Sequence, residues 1–285
     1  MDCWHLWTPE NYPVIFKTAA DFKVGMTVFG LCALLNPGLR VLSYELMSNH
    51  LHITLYGSRD YVNEFFLTFR RALGKALDAT LDLSGFNCSL RQLETDLDIR
   101  TSITYGNRNG FLVNPDTTPF TYLWGANRFF FNPEAKQRYV KEAVSCSLRE
   151  RRAITHSRFA DGVTALKMLD GYACPLSFCH IGEAERFYRN AAHYLYEVAR
   201  NIESHKQFAE VIGERVFLTD DELYKAATTI AKTSYGDLKL RYLPAQAKIE
   251  MAKTLHYDYN ATKKQLCRMI GLDLNLLDKL FPGAA

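Results

Sequence analysis

The first half of the chain alternates strand-like and helix-like hydrophobic patterns. Cys3 to Thr8 is short and aromatic-rich, the composition of a strand. From Asp21 to Leu35 the apolar residues Phe22, Met26, Phe29 and Ala33 recur at helical spacing, and Asn36-Pro37-Gly38 stops that helix. Two strand-like runs follow, Val41 to Met47 and His50 to Tyr56, joined by Ser48-Asn49. Tyr61 to Leu81 then places Phe65, Phe66, Phe69, Leu73 and Leu77 on one face, with Arg70, Arg71 and Lys75 outside it. That is an amphipathic helix with a basic flank. The order strand, helix, strand, strand, helix predicts an α+β fold in which helices cover an antiparallel sheet.

Further along, Leu93 to Asn109 reads as a helix ending at Asn109-Gly110, where glycine can take the left-handed cap. Residues 114–133 are rich in Pro, Thr, Asn and aromatics and read as extended. The remainder reads as all-helical. Glu183 to Ser204 is in helical register, and Thr219-Asp-Asp-Glu222 is a capping-box start. Short helices are expected at Pro244 to Leu255, Ala261 to Ile270 and Leu274 to Phe281. The last two flank Gly271-Leu272-Asp273 in the manner of a helix-turn-helix. The expected organisation is therefore an α+β domain over 1–130 and a helical domain over 131–285. A basic stretch from Arg149 to Arg158 lies near the boundary, and a candidate DNA-binding helix-turn-helix lies near 244–281. Its last helix offers few base-reading side chains beyond Asn275 and Lys279.

Composition narrows the partners. The 285 residues are 48% hydrophobic and 23% charged, enough to bury a core. A net charge of +3 means that a polyanion must be held by a local patch rather than a global field. The seven cysteines are scattered and follow no secretion signal, so they read as reduced thiols of a cytoplasmic protein. Cys174 and Cys179, with His180 adjacent, lack the spacing of a zinc knuckle. The most apolar stretch, Val24 to Leu35, is too short to cross a bilayer, which excludes a membrane span there.

Two segments carry candidate chemistry. In His50-Leu51-His52 the histidines stand at i and i+2, so on a strand both imidazoles share one face and can converge on a divalent cation. A third oxygen ligand would tilt such a site toward Mg²⁺ or Mn²⁺. In Tyr105-Gly106-Asn107-Arg108-Asn109, a helix would put Tyr105 and Asn109 on the same face. The Asn109 amide oxygen could then complete the ligand set, with the Tyr105 phenol one turn away as a nucleophile toward a phosphate.

These strings resemble a known family. Met47-Ser-Asn-His-Leu-His-Ile-Thr-Leu55 is similar to the M-P-N-H-x-H segment of single-tyrosine HUH transposases, the REP-associated tyrosine transposases above all. Tyr105-Gly-Asn-Arg-Asn-Gly-Phe-Leu-Val113 resembles their tyrosine block, and Pro119-Phe-Thr-Tyr122 their following aromatic segment. Trp4-His5-Leu6, with Ile15-Phe16 and Asp21-Phe22, fits their first strand and the start of their first helix. The resemblance spans roughly residues 1–130. It departs from the family at Ser48 and Gly110, where proline is usual.

The resemblance implies a ferredoxin-like antiparallel sheet, the HUH fold. It also implies a transposase-like enzyme that cuts and rejoins single-stranded or hairpin DNA. Tyr105 would be the nucleophile, and His50, His52 and Asn109 the ligands of Mg²⁺ or Mn²⁺. Asn49 would hold an imidazole from behind, and Arg70, Arg71 and Lys75 are candidate phosphate contacts. A second copy of the chain is a candidate partner. Two other readings compete: a DNA-binding regulator that keeps the fold as a non-catalytic platform, and a metal-dependent phosphodiesterase that uses water, with Tyr105 a bystander.

Overall fold

Four strands form the first sheet: β1 (Asp2–Trp7), β2 (Arg40–Leu46), β3 (Leu51–Gly57) and β4 (Ser89–Leu93). Their spatial order is β2-β3-β1-β4, and every pairing is antiparallel. The computed structural model describes residues 1–78, 81–112, 121–200, 218, 220–236 and 240–282. Between β1 and β2 runs α1 (Ala19–Leu35), between β3 and β4 runs α2 (Arg59–Leu77), and α3 (Asp96–Leu112) follows β4. The class is α+β, as the pattern predicts.

Strand alternation gives the sheet two unlike faces. On one, α1 and α2 pack an aromatic core. Phe29 stacks on Tyr44 at 4.1 Å and meets Phe65 and Phe69 edge-on at 5.4 and 5.6 Å. Helix α1 starts on a capping box, in which Thr18 Oγ1 accepts from the Asp21 amide and the Asp21 carboxylate accepts from the Thr18 amide. The other face carries His5, Ser43, Glu45, His52 and Thr54, all buried, and α3 lies over it.

The chain divides into two compact units, Met1–Ala199 and Arg200–Ala285, so the boundary expected after residue 130 falls inside the first. The reason is packing on α1, which is buried all round from Gly25 to Ala33. Residues 166–178 help to cover it: a Cβ on Gly30 would meet the Phe178 ring at 2.7 Å and Leu166 at 3.0 Å. Short strands β5 (Val144–Ser145), β6 (Lys167–Leu169) and β7 (Tyr172–Ala173) form a second sheet there. Helices α4 (Pro133–Glu142) and α5 (Leu148–Thr155) precede β6. The region after 131 is thus not all-helical. Strands of two or three residues leave no readable period, which is why the sequence hides them.

The outer edge of β2 is also covered. His180 N donates to Val41 O, Leu46 N to Trp124 O and Ala126 N to Tyr44 O. Gly125 runs so close that a Cβ would stand 2.6 Å from Glu45 Cγ. The helix expected over Glu183–Ser204 is broken: α6 (Ile181–Ala184) and a 3₁₀ turn (Glu185–Phe187) precede α7 (Ala191–Arg200). Tyr188 is extended, and the Asn190 carboxamide restarts the helix by accepting from the His193 amide. Residues 201–204 and Thr219 lie outside the described residues.

In the second unit, α8 (Asp220–Tyr235), α9 (Ala245–Tyr259), α10 (Lys263–Ile270) and α11 (Leu274–Leu280) are helical. Thr262 and Gln265 form a capping box at α10, and Gly271, at φ +66°, ends it in the left-handed region. Asp273 caps α11, and Lys263 Nζ bonds the Asp278 carboxylate at 2.8 Å. The turn between the two short helices matches the sequence reading. All seven cysteines are free thiols. Among the described residues no helix is long and apolar enough to cross a membrane.

Candidate active site

His50 and His52 lie at the start of β3 with their rings 5.4 Å apart and perpendicular. Helix α3 lies over them and brings two of its side chains to His52. The Asn109 amide nitrogen stands 3.1 Å from His52 Nε2, and the Tyr105 ring meets the His52 ring edge-on at 5.3 Å. The spacing of four residues on one helix therefore places both groups at the same imidazole. Tyr105 is only 2% exposed.

Asn49 holds His50 from behind. Its Nδ2 donates to the carbonyls of Glu10 and, at 3.0 Å, Tyr12, so its Oδ1 faces His50 Nδ1 at 2.8 Å and accepts from it. Nδ1–H on His50 leaves Nε2 with its lone pair, the form a cation binds. His52 is held from β1: His5 Nε2 lies 3.3 Å from His52 Nδ1, and His5 Nδ1 lies 2.6 Å from Ser102 Oγ. Ser102 Oγ is in turn 2.7 Å from Thr54 Oγ1.

Burial keeps these rings neutral. It lowers the His5 pKa to about 3, with Arg91 on the neighbouring strand adding to the shift, and the His50 pKa to about 4. His52 is pushed well below its ordinary value by burial first, then by His5 and His50. Neutral imidazole is the ligating form, so the donor chemistry of His50, His52 and the Asn109 carboxamide suits a divalent cation. Glu45 pairs with His52 across the β2–β3 ladder and is fully buried. Among the described residues no three His, Cys, Asp or Glu side chains are grouped to hold a metal.

Helix α3 is enclosed along β2 as well. Asn107 Oδ1 accepts from Ser43 Oγ at 2.5 Å, and Asn107 Nδ2 donates to Tyr194 OH at 2.8 Å. Tyr194 OH donates to Asn127 Oδ1, and Asn127 Nδ2 returns to the Asn107 carbonyl at 2.9 Å. Thr104 Oγ1 meets Tyr188 OH at 2.7 Å. Residues 102–108 are buried without exception.

The basic residues of α2 are placed elsewhere. Arg70 Nη1 donates to the carbonyls of Ser84 and Phe86 and to Asn87 Oδ1, bracing the loop before β4. Arg71 and Lys75 are exposed on a helix that lies across the sheet from the histidines. Of the aromatic segment at 119–122, Pro119 and Phe120 lie outside the described residues; Tyr122 OH donates to Leu46 O at 2.6 Å.

Sequence reasoning did not find His5, Ser102 or Thr54 as parts of the site. The available signal was alternation: His5 is one of the β1 residues that share a face, and that face is the one the H-x-H pair uses. No family model, curated protein or solved structure matches the chain.

Proposed function

We propose that the chain is a metal-dependent, transposase-like enzyme that cuts and rejoins single-stranded DNA, with hairpins or palindromic ends as its substrates. The observation that carries this reading is the meeting of Tyr105 and Asn109 at His52, beside a second neutral histidine. The order of the first six elements, with the sheet order β2-β3-β1-β4, supports a ferredoxin-like sheet of the HUH kind.

His50, His52 and Asn109 would hold Mg²⁺ or Mn²⁺, which when bound supplies charge neutralisation at the scissile phosphate. The Tyr105 phenol loses its proton and its oxygen attacks phosphorus. The phosphorus–oxygen bond to the 3′ side breaks, and the leaving oxygen takes up a proton as a free 3′-hydroxyl. Reversal with another 3′-hydroxyl rejoins a strand and restores the phenol. Asn49 and His5 orient the imidazoles. The helix-turn-helix of the second unit has Asn275 and Lys279 exposed and available to DNA.

The burial of Tyr105 favours a second reading, a DNA-binding regulator built on this fold as a non-catalytic platform. A covalent-trapping assay separates the two. The purified chain is mixed with labelled single-stranded hairpins and Mg²⁺ or Mn²⁺, then run on a denaturing gel. A label shifted to the protein's mass, lost in Tyr105→Phe and with EDTA, is the expected result. Hairpin binding without any adduct, across a fair range of substrates, selects the regulator.

A further inference from the structure

The two histidines are each tied at Nδ1, but by different means. For His50 the holder is the adjacent residue: both amide protons of Asn49 go to backbone carbonyls, so its oxygen must accept from Nδ1–H. For His52 the holder comes from another strand. The register of β1 against β3 sets Trp7 opposite His52 and His5 opposite Thr54, so the His5 ring lies diagonally next to His52. Behind it stand Ser102 and Thr54, completing a line of four buried side chains, Thr54–Ser102–His5–His52.

We propose that His5 is a positioning residue for His52: backed by Ser102, it accepts the His52 Nδ1 proton and so keeps the Nε2 lone pair for a divalent cation. Proton counting fixes the direction of the line. The Asn109 amide nitrogen at 3.1 Å donates to His52 Nε2, which can accept only if it carries no proton. The neutral ring then bears its proton on Nδ1 and donates it to His5 Nε2. A neutral His5 accepting at Nε2 bears its own proton on Nδ1 and gives it to Ser102 Oγ, whose hydroxyl proton turns to Thr54 Oγ1. Along the line each proton has one acceptor, from His52 to His5, from His5 to Ser102 and from Ser102 to Thr54. The reverse line would put a proton on His52 Nε2, aimed at an N–H of Asn109, and close that nitrogen to any cation.

The assignment rests on the metal reading for its purpose but not for its test. In full-length, metal-free protein carrying ¹⁵N-labelled histidine rings, two-bond ¹H–¹⁵N correlation reports the tautomer of each ring. Nδ1–H on both His5 and His52 is expected; Nε2–H on His52 overturns the proposal. Mn²⁺ titration, read by the electron-paramagnetic signal of the free ion, gives the second arm. His5→Leu is expected to weaken Mn²⁺ binding roughly 10–100-fold, the usual loss when a partner behind a ligating histidine is removed. His5→Gln, whose amide oxygen can accept from Nδ1–H, should recover part of that loss. If His5→Leu does not fold, Ser102→Ala removes one oxygen from the line and should loosen binding in the same direction. Wild-type affinity in a folded His5→Leu protein overturns the positioning role. Wild-type protein that binds no Mn²⁺ while His52 is Nδ1–H overturns the metal reading instead and upholds the tautomer assignment.

Discussion

The same three strands, β1, β2 and β3, present two faces that are equally buried and chemically opposite. Toward α1 and α2 the side chains are Trp4, Leu6, Tyr44, Leu51, Ile53 and Leu55; toward α3 they are His5, Ser43, Glu45, His52 and Thr54. On the first face any apolar group of the right volume contributes through contact and burial alone. On the second, every buried polar atom requires a partner, because an unmet donor or acceptor costs about 1–3 kcal/mol. That requirement explains the lines of hydrogen bonds through Ser102 and Asn107. A sheet face this polar is costly as a core and informative as a site.

Acid should break the polar face first and by the largest margin. The pKa values of His5 and His50 are lowered to about 3 and about 4 in the folded chain, with His52 also well below normal, all chiefly through burial. An unfolded histidine titrates near ~6.5. Between those values the unfolded chain binds protons that the folded chain does not. Stability is therefore fully present above the unfolded value and is lost as pH falls below it. Each histidine that stays neutral should contribute about 1.4 kcal/mol of loss per pH unit. Urea unfolding of metal-free protein at pH 7, 6 and 5 measures this, and a midpoint that does not move would mean the rings are hydrated. The apolar face gives the next largest effect. Phe29→Ala removes a ring packed against Tyr44, Phe65 and Phe69 and should cost about 3–5 kcal/mol. The slope of stability against pH should be unchanged in that variant, since no titrating group is touched.

The two faces were not equally legible. The aromatic stripe Phe65, Phe66, Phe69, Leu73 announces α2 by period alone, and all four side chains are buried. The H-x-H pair likewise fixes its own shared face once β3 is a strand. What completes the polar face comes from far away in sequence. Ser102 and His5 are 97 residues apart, Tyr194 and Asn107 87, and Tyr188 and Thr104 84. No local period encodes such pairs, because they depend on strand register and on how the segment after residue 126 folds back over α3. The first-unit boundary was hidden for the same reason: Phe178 and Leu166 become part of the α1 environment only in three dimensions.

Tyr194→Phe sharpens the comparison at intermediate size. It deletes one oxygen that both accepts from Asn107 and donates to Asn127, so two buried carboxamides each lose a hydrogen bond. A loss of about 1–3 kcal/mol is expected, more than one neutral hydrogen bond is worth, since the penalty is desolvation without return. Urea unfolding reads it, and a loss of a few tenths would show that Asn107 and Asn127 bond each other instead.

The smallest effects should come from the basic flank of α2, and here the two neighbouring arginines divide. Arg70 holds two carbonyls and the Asn87 side chain, so Arg70→Ala should cost about 0.5–1.5 kcal/mol through lost, largely exposed hydrogen bonds in the loop before β4. Arg71 is exposed on the outer side of the apolar layer, and Arg71→Ala should stay within about 0.5 kcal/mol of wild type. If DNA engages the histidine face, Arg71→Ala should also leave adduct formation and its salt dependence unchanged, because the sheet stands between that charge and the site. A reduced salt slope in Arg71→Ala would instead place the nucleic acid across α2. The basic flank would then be the binding surface, separated from the histidines by the thickness of the sheet, and the proposed cleavage at His50 and His52 would lose its substrate path.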